Sequence, residues 1–246
     1  MVAAARPTTP LASHFRGAER LAQVLEEPGC LWVTDADGTL WSEDIGEGFL
    51  RRLIADRALV SPAAAGDTWA RYRELVAQDA ATGYGWAAQL LGGLPSDEVR
   101  QRAEAFAREF VPKHGFPAMR ALVAEAKAQG GETWIVSASA EPIVRAAAPL
   151  MGIDPTHVVG LRVAEEAGRL TSRLVGPVTY RQGKVEAIDR CIGRRPALVS
   201  GDSAGDVEML SSATRLALVV RQPSSAASFL GHATAAGWLV ETLATP

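Results

Sequence analysis

The chain has 246 residues, 25 Lys and Arg against 28 Asp and Glu, a formal net charge of -3, and is 48% hydrophobic and 22% charged. A chain of this ordinary globular composition buries enough apolar surface to fold without disulfide or zinc staples. The near-neutral balance, with the basic doublets Arg51-Arg52 and Arg194-Arg195 isolated, excludes an electrostatic nucleic-acid binder.

No apolar run approaches the ~20 residues of a membrane span. Met1 to Pro10 lacks the apolar stretch of a secretion signal. The expectation is a cytoplasmic protein. Cys30 and Cys191 lie far apart beside apolar residues, without metal-ligand spacing, and read as buried free thiols.

In chain order, the first short apolar run is Leu31-Trp32-Val33, which leads into Thr34-Asp35-Ala36-Asp37-Gly38-Thr39. From Trp41 to about Gly115 the periodicity is helical, divided by Gly83, Gly85, Gly92-Gly93 and Pro95. A helix over Pro117 to Gln129 stops at Gly130-Gly131, before a second run, Thr133 to Val136, that leads into Ser137-Ala138-Ser139. Helices are predicted over Glu141 to Leu150 and Lys184 to Ile192, with a weakly alternating excursion between them, Val158 to Val175, read as a β-hairpin. Ala197-Leu198-Val199 leads into Ser200-Gly201-Asp202-Ser203, and Leu216 to Val220 is the fourth run. Short apolar runs bounded by turn residues and alternating with helices predict a doubly wound parallel α/β sheet. Ligands of such sheets sit outside the carboxyl ends of the strands, where Asp35, Asp37, Ser137 and Asp202 all fall.

Asp35 and Asp37 can share one site through a tight turn at Gly38. Two carboxylates can divide nucleophilic attack and proton transfer between them. Taken alone, the pair fits a solvated turn equally well. Ser137 offers a hydroxyl for phosphate oxygens, and Lys184 a point charge for a crowded anionic site. Gly201-Asp202-Ser203-Ala204-Gly205-Asp206 adds two carboxylates, and hard oxygen ligands suit Mg²⁺.

These four elements, in order, resemble the motifs of the haloacid dehalogenase-like hydrolases over about Leu31 to Val220. The resemblance implies a Rossmann-like core, residues 1–40 and 116–246, with an inserted all-helical cap, residues 41–115, hinged near Leu40 and Gly115. It implies an aspartyl-phosphate on Asp35, with Asp37 protonating the leaving oxygen and then activating water. Mg²⁺ would be held by Asp35, Asp202 and the Asp37 main-chain carbonyl, with Asp206 ordering its waters. Gly38, Thr39, Ser137, Ala138 and Lys184 would hold the phosphoryl group. The implied activity is hydrolysis of a small phosphomonoester, with transfer to another acceptor left open.

The insertion resembles the cap of phosphoserine-phosphatase-like members, with departures. Ala138-Ser139 stands where those enzymes carry a glycine pair. Trp86-Ala87 stands in the nearest register to their carboxylate-binding arginine. Trp41 and Asp44 look more like the phosphocholine phosphatases. Glu43, Asp44 and Glu47 could meet a substrate amine, or serve only as acids at a helix N-terminus. Trp41, Trp69, Tyr72, Tyr84 and Trp86 could face a cationic group or pack the cap. The expected substrate is a phosphorylated amino alcohol such as phosphocholine or phosphoethanolamine. Phosphoserine and sugar phosphates are the alternatives.

A competing reading takes Gly201-Asp202-Ser203-Ala204-Gly205 as the nucleophile elbow of a serine hydrolase, with His232 as its base. It lacks an acid in the right chain order and leaves Asp35, Asp37 and Lys184 without a role.

Overall fold

The computed structural model describes residues 10–244. The reading of Met1 to Thr9 as free of a secretion signal lies outside the described residues. After α1 (Ala18–Leu25), β1 (Leu31–Thr34) runs fully buried through the centre of the molecule. Four helices follow with no strand between them: α2 (Ile45–Ala55), α3 (Thr68–Gln78), α4 (Ala80–Gln89) and α5 (Ser96–His114). The strand-helix alternation resumes with α6 (Pro117–Ala128), β2 (Glu132–Ala140) and α7 (Glu141–Ala147). The predicted hairpin is present as β3 (Val158–Glu166) and β4 (Arg169–Val175). Then come α8 (Gln182–Ala187), β5 (Leu198–Gly201), α9 (Val207–Ser211), β6 (Leu216–Val220), α10 (Ala227–Ala235) and β7 (Leu239–Glu241).

The seven strands form one sheet in the order β4-β3-β2-β1-β5-β6-β7. Every neighbouring pair is parallel except β3 and β4, the hairpin at one edge. The doubly wound α/β expectation therefore holds. The hairpin does more than expected, because β3 also extends the main sheet by pairing with β2.

Alternation along the strands feeds two cores. Trp32, Ile135, Leu198 and Leu218 join α1, α6 and α7 on one face, while Leu31, Val33, Val199 and Val219 pack on Met209, Leu210 and Phe229 on the other. The first core continues into the helical insertion through Trp41, Ile45, Phe49, Ala103, Ala107 and Phe110. The two connections of the insertion run side by side: Ser42 N–H donates to His114 O and Phe116 N–H to Leu40 O, each at 2.9 Å.

Two local expectations are corrected. The helix predicted over Lys184 to Ile192 begins at Gln182 and widens to a π-turn over Ile188–Ile192 before Gly193 ends it at φ 69°. Cys30 is buried, but Cys191, on that π-turn, is exposed, so only one thiol belongs to a core.

Candidate active site

The sheet gathers its polar loops at one end, as the topology requires. Asp35 follows β1, Ser137 and Ser139 lie in the last turns of β2, and Asp202 follows β5. Asp35, Ser139 and Asp202 line a cavity of about 360 Å³, whose opposite wall comes from the insertion, while Ser137 is wholly buried. Gly38 makes the first loop possible. Its φ is 76°, and a Cβ there would lie 2.3 Å from Asp202 Oδ2, so the chain must turn left-handed and stay bare where the two loops meet.

Asp35 and Lys184 are only 6% and 3% exposed. The Lys184 Nζ donates to Asp35 Oδ1 by a very short contact, and to Asp206 Oδ1 at 2.6 Å. Asp206 Oδ2 accepts from Asp202 N at 3.2 Å and Ser203 N at 3.1 Å, which folds this loop around its own carboxylate. Oxygens of Asp35, Asp202 and Asp206 all lie within 4.8 Å of one another. Burial, opposed by Lys184 and reinforced by Asp206 and Asp37, pushes Asp35 up to about 7. Burial, then Asp206 and Asp35, pushes Asp202 well above the usual carboxylate range. Burial works against the Lys184 charge, but Asp206 and Asp35 outweigh it and raise its pKa. One lysine thus faces three crowded carboxylates, an all-oxygen set that fits a hard divalent cation.

Asp37 is bound differently. Its Oδ1 accepts from Trp41 Nε1 and from Ile45 N, and its Oδ2 from Ser139 Oγ, each at 2.7 Å. Burial raises its pKa, with these three donors opposing. The side chain of Asp37 is not among the carboxylates grouped for a cation.

Several sequence expectations change here. Thr39 and Ser137, expected on the phosphoryl group, are wholly buried and face the aspartates instead. Thr39 Oγ1 donates to Asp35 Oδ2 at 3.4 Å, and Ser137 Oγ to Asp37 Oδ2 at 3.5 Å while accepting from Ser139 N at 3.0 Å. Gly38 and Ala138 line the cavity. Trp41, expected to face substrate, is wholly buried against Phe110 and offers its indole N–H to Asp37. Trp86 packs against the cluster of Leu50, Tyr72 and Leu90 and does not line the cavity. Glu43 and Asp44 do, and Asp44 also caps α2 by accepting from Glu47 N at 2.7 Å, so a place at a helix N-terminus does not take these acids away from the cavity. Burial, then Asp37, holds Asp44 well above the usual carboxylate range.

The structure adds residues that the sequence reading passed over. Ser139 shares the face of Ser137, as residues two apart on a strand must, so its place was deducible. Tyr180 and Gln222 also line the cavity, and Gln222 Nε2 donates to Gly38 O in a short contact. Gln222 follows β6 as Asp35 follows β1, a signal of the same kind.

The serine-hydrolase alternative is overturned. Ser203 Oγ donates to Asp206 Oδ2 at 3.1 Å and accepts from Gly205 N at 3.2 Å, which makes it a helix cap without a base. His232 stacks edge-on against Trp238, and among the described residues no histidine lines the cavity.

The sequence profile of the haloacid dehalogenase-like hydrolases matches residues 32–211, well over half of the chain. The chain belongs to the haloacid dehalogenase-like hydrolases. Its relatives include a histidinol-phosphatase from Neisseria meningitidis serogroup C (strain 8013), 26% identical over 100 residues. That match covers 40% of this chain and 44% of the relative, so the chain spans less than half of the relative's length. Among solved structures, a protein from Bordetella pertussis Tohama I superposes with a TM-score of 0.72 at 22% identity, covering 85% of this chain and 96% of that one. A substrate-bound phosphoserine phosphatase gives 0.54 at 18% identity, covering 80% and 89%. At these identities the likeness is one of fold. As a haloacid dehalogenase-like chain, it keeps its polar cluster where that fold keeps a site, outside the carboxyl ends of the central strands. Among the described residues, no helix is long and apolar enough to cross a membrane.

Proposed function

We propose that this chain is a Mg²⁺-dependent phosphomonoester hydrolase acting through phospho-Asp35, on a small phosphorylated amino alcohol. The observation that carries the chemistry is the buried convergence of Asp35, Lys184, Asp202 and Asp206, with Asp37 held beside them by three donors. In the first half-reaction an Asp35 oxygen attacks phosphorus, the bond from phosphorus to the alcohol oxygen breaks, and Asp37 gives that oxygen its proton. In the second, Asp37 takes a proton from water as the water oxygen attacks phosphorus, and the bond to Asp35 breaks to release inorganic phosphate. Lys184 holds Asp35 in place for attack and offsets the charge that gathers on the phosphoryl oxygens.

Asp35 and Asp202 would hold Mg²⁺ together with the Asp37 carbonyl, and Asp206 would support them from behind. The ion, when bound, supplies charge neutralisation at the phosphoryl group. The helical insertion, residues 41–115, serves as the cap over a core of residues 1–40 and 116–246.

Support for an amino alcohol comes from the charge of the cap wall. Glu43 and Glu47 carry that charge, Asp44 adds its own when a cation faces it, and no arginine lines the cavity among the described residues. Lys184 is already committed to Asp35 and Asp206. A substrate carboxylate would meet this wall unpaired, whereas an amine is matched by it. The name of the histidinol-phosphatase relative points to the same chemical class.

The test is phosphate release from phosphoethanolamine, phosphocholine, histidinol phosphate, phosphoserine and sugar phosphates, with Mg²⁺ and with EDTA. Asp35→Asn is the blank. The expected result is Mg²⁺-dependent release that favours the amino alcohols and is absent in Asp35→Asn. Preference for phosphoserine or sugar phosphates would discard the substrate reading. Wild-type turnover by Asp35→Asn would discard the mechanism.

A further inference from the structure

Resting on that phosphatase reading, we propose that the substrate carries a bulky apolar or aromatic group beyond its amine, seated on the wall that α2, α3 and α4 present to the cavity. The phosphate and an amine account for the core loops and for Glu43, Asp44 and Glu47. The same cavity is also lined by Phe49, Leu50 and Leu53 of α2, Tyr72 of α3, Tyr84 of α4 and Leu91, which pack the interior of the insertion as well. Phe49, Leu50, Leu53, Tyr72 and Leu91 are 5% exposed or less and form a packed floor, over which the half-buried Tyr84 and Ala87 show the open apolar surface. Apolar wall that meets water gains by being covered with an apolar ligand group.

Size points the same way. The cavity of about 360 Å³ has room for about twelve waters at ~30 Å³ each. A phosphate on a two-carbon amine fills the catalytic end and leaves the apolar wall wet. The aromatic edge of this wall is also fixed in place, because Tyr84 meets Tyr180 of the sheet side edge-on at 5.5 Å between ring centres. An aromatic substituent would therefore find a preformed edge to pack on.

Steady-state kinetics on the phosphate esters of ethanolamine, alaninol, leucinol and phenylalaninol test this, because the series changes only the group beyond the amine. The specificity constant kcat/KM is expected to rise by roughly tenfold or more from the ethanolamine to the leucinol or phenylalaninol ester. Ala87 lines the cavity on α4. Filling that space with Ala87→Phe is expected to lower the phenylalaninol-to-ethanolamine ratio of kcat/KM by a similar factor. The wild-type series stands alone if that variant fails to fold. A flat or falling series with ethanolamine phosphate turned over would overturn the proposal. No release from any ester, p-nitrophenyl phosphate included, would overturn the phosphatase reading and this proposal with it.

Discussion

The indole N–H of Trp41 donates to Asp37 Oδ1 at 2.7 Å, tying the first residue of the helical insertion to the carboxylate to which the proposed mechanism gives the proton transfers. Trp41 is wholly buried and meets Phe110 edge-on, so the packing around it sets the angle of its ring. Trp41→Phe keeps a ring in place and removes the donor. A hydrogen bond to a charged group contributes about 1.5–3 kcal/mol, so kcat/KM on alkyl phosphates, which reports only the first half-reaction, is expected to fall roughly ten- to a hundredfold. On p-nitrophenyl phosphate, whose leaving group departs without a proton, the loss should be much smaller. Equal losses on both substrates would show that Trp41 only packs.

Burial and crowding at the candidate cation site set a pH dependence of stability. Asp35 is pushed up to about 7 by burial, with Asp206 and Asp37 adding to it against Lys184. The unfolded chain has the ordinary carboxylate value of about 4. The folded protein therefore binds more protons than the unfolded one between those values, and stability falls as pH rises through that window. The EDTA-treated protein should show a lower Tm at pH 8 than at pH 5.5. Mg²⁺ should raise Tm more at pH 8, where it need displace no proton. Thermal melts at the two pH values check both signs, and a Mg²⁺ shift larger at pH 5.5 would contradict the assignment of Asp35 to the cation.

The two thiols should separate cleanly. Burial, helped by Glu27, pushes Cys30 up to about 11, so almost no thiolate forms near neutrality. Cys191 is exposed on the π-turn after α8. Titration with a thiol reagent at pH 8 is expected to modify one thiol per folded chain quickly, and the second only on unfolding. Fast modification of both in the folded protein would contradict the packing around Cys30.

The sequence made the core legible because its physics is local. Each central strand is an unbroken apolar run, as a strand buried on both faces must be, and each ends in the polar residues that the site uses. The three-residue β7 is too short to leave such a signature. The acids of the cap were legible for the same reason, since Asp44 both caps α2 and faces the cavity. The aromatic residues were not. Whether Trp41, Tyr72, Tyr84 or Trp86 faces the cavity depends on how each helix is rotated against its neighbours, which no spacing along the chain encodes. Trp41 and Trp86 turned inward while Tyr72 and Tyr84 line the space. Thr39 and Ser137 teach a related lesson: their residue types belong to a phosphate site, but their hydroxyls are taken up by carboxylates.

Two helix glycines give opposite expectations. Gly183 precedes Lys184, and a Cβ there would sit 1.8 Å from the main-chain oxygen of Val178. Backbone cannot swing aside as a side chain can, so Gly183→Ala should cost about 1–3 kcal/mol. For a chain of this length that is a Tm drop of roughly 2–12 °C. The displaced turn also carries Lys184 away from Asp35 and Asp206, so turnover should fall by more than the unfolded fraction explains. Gly231 lies inside α10 with nothing within 4 Å of a Cβ. Gly231→Ala should therefore stabilise by about 0.5–1 kcal/mol through backbone entropy and leave turnover unchanged. Melting curves and phosphate-release rates for the two variants check the pair. A Gly183→Ala variant as stable and active as wild type would contradict the tight turn that sets the lysine in place.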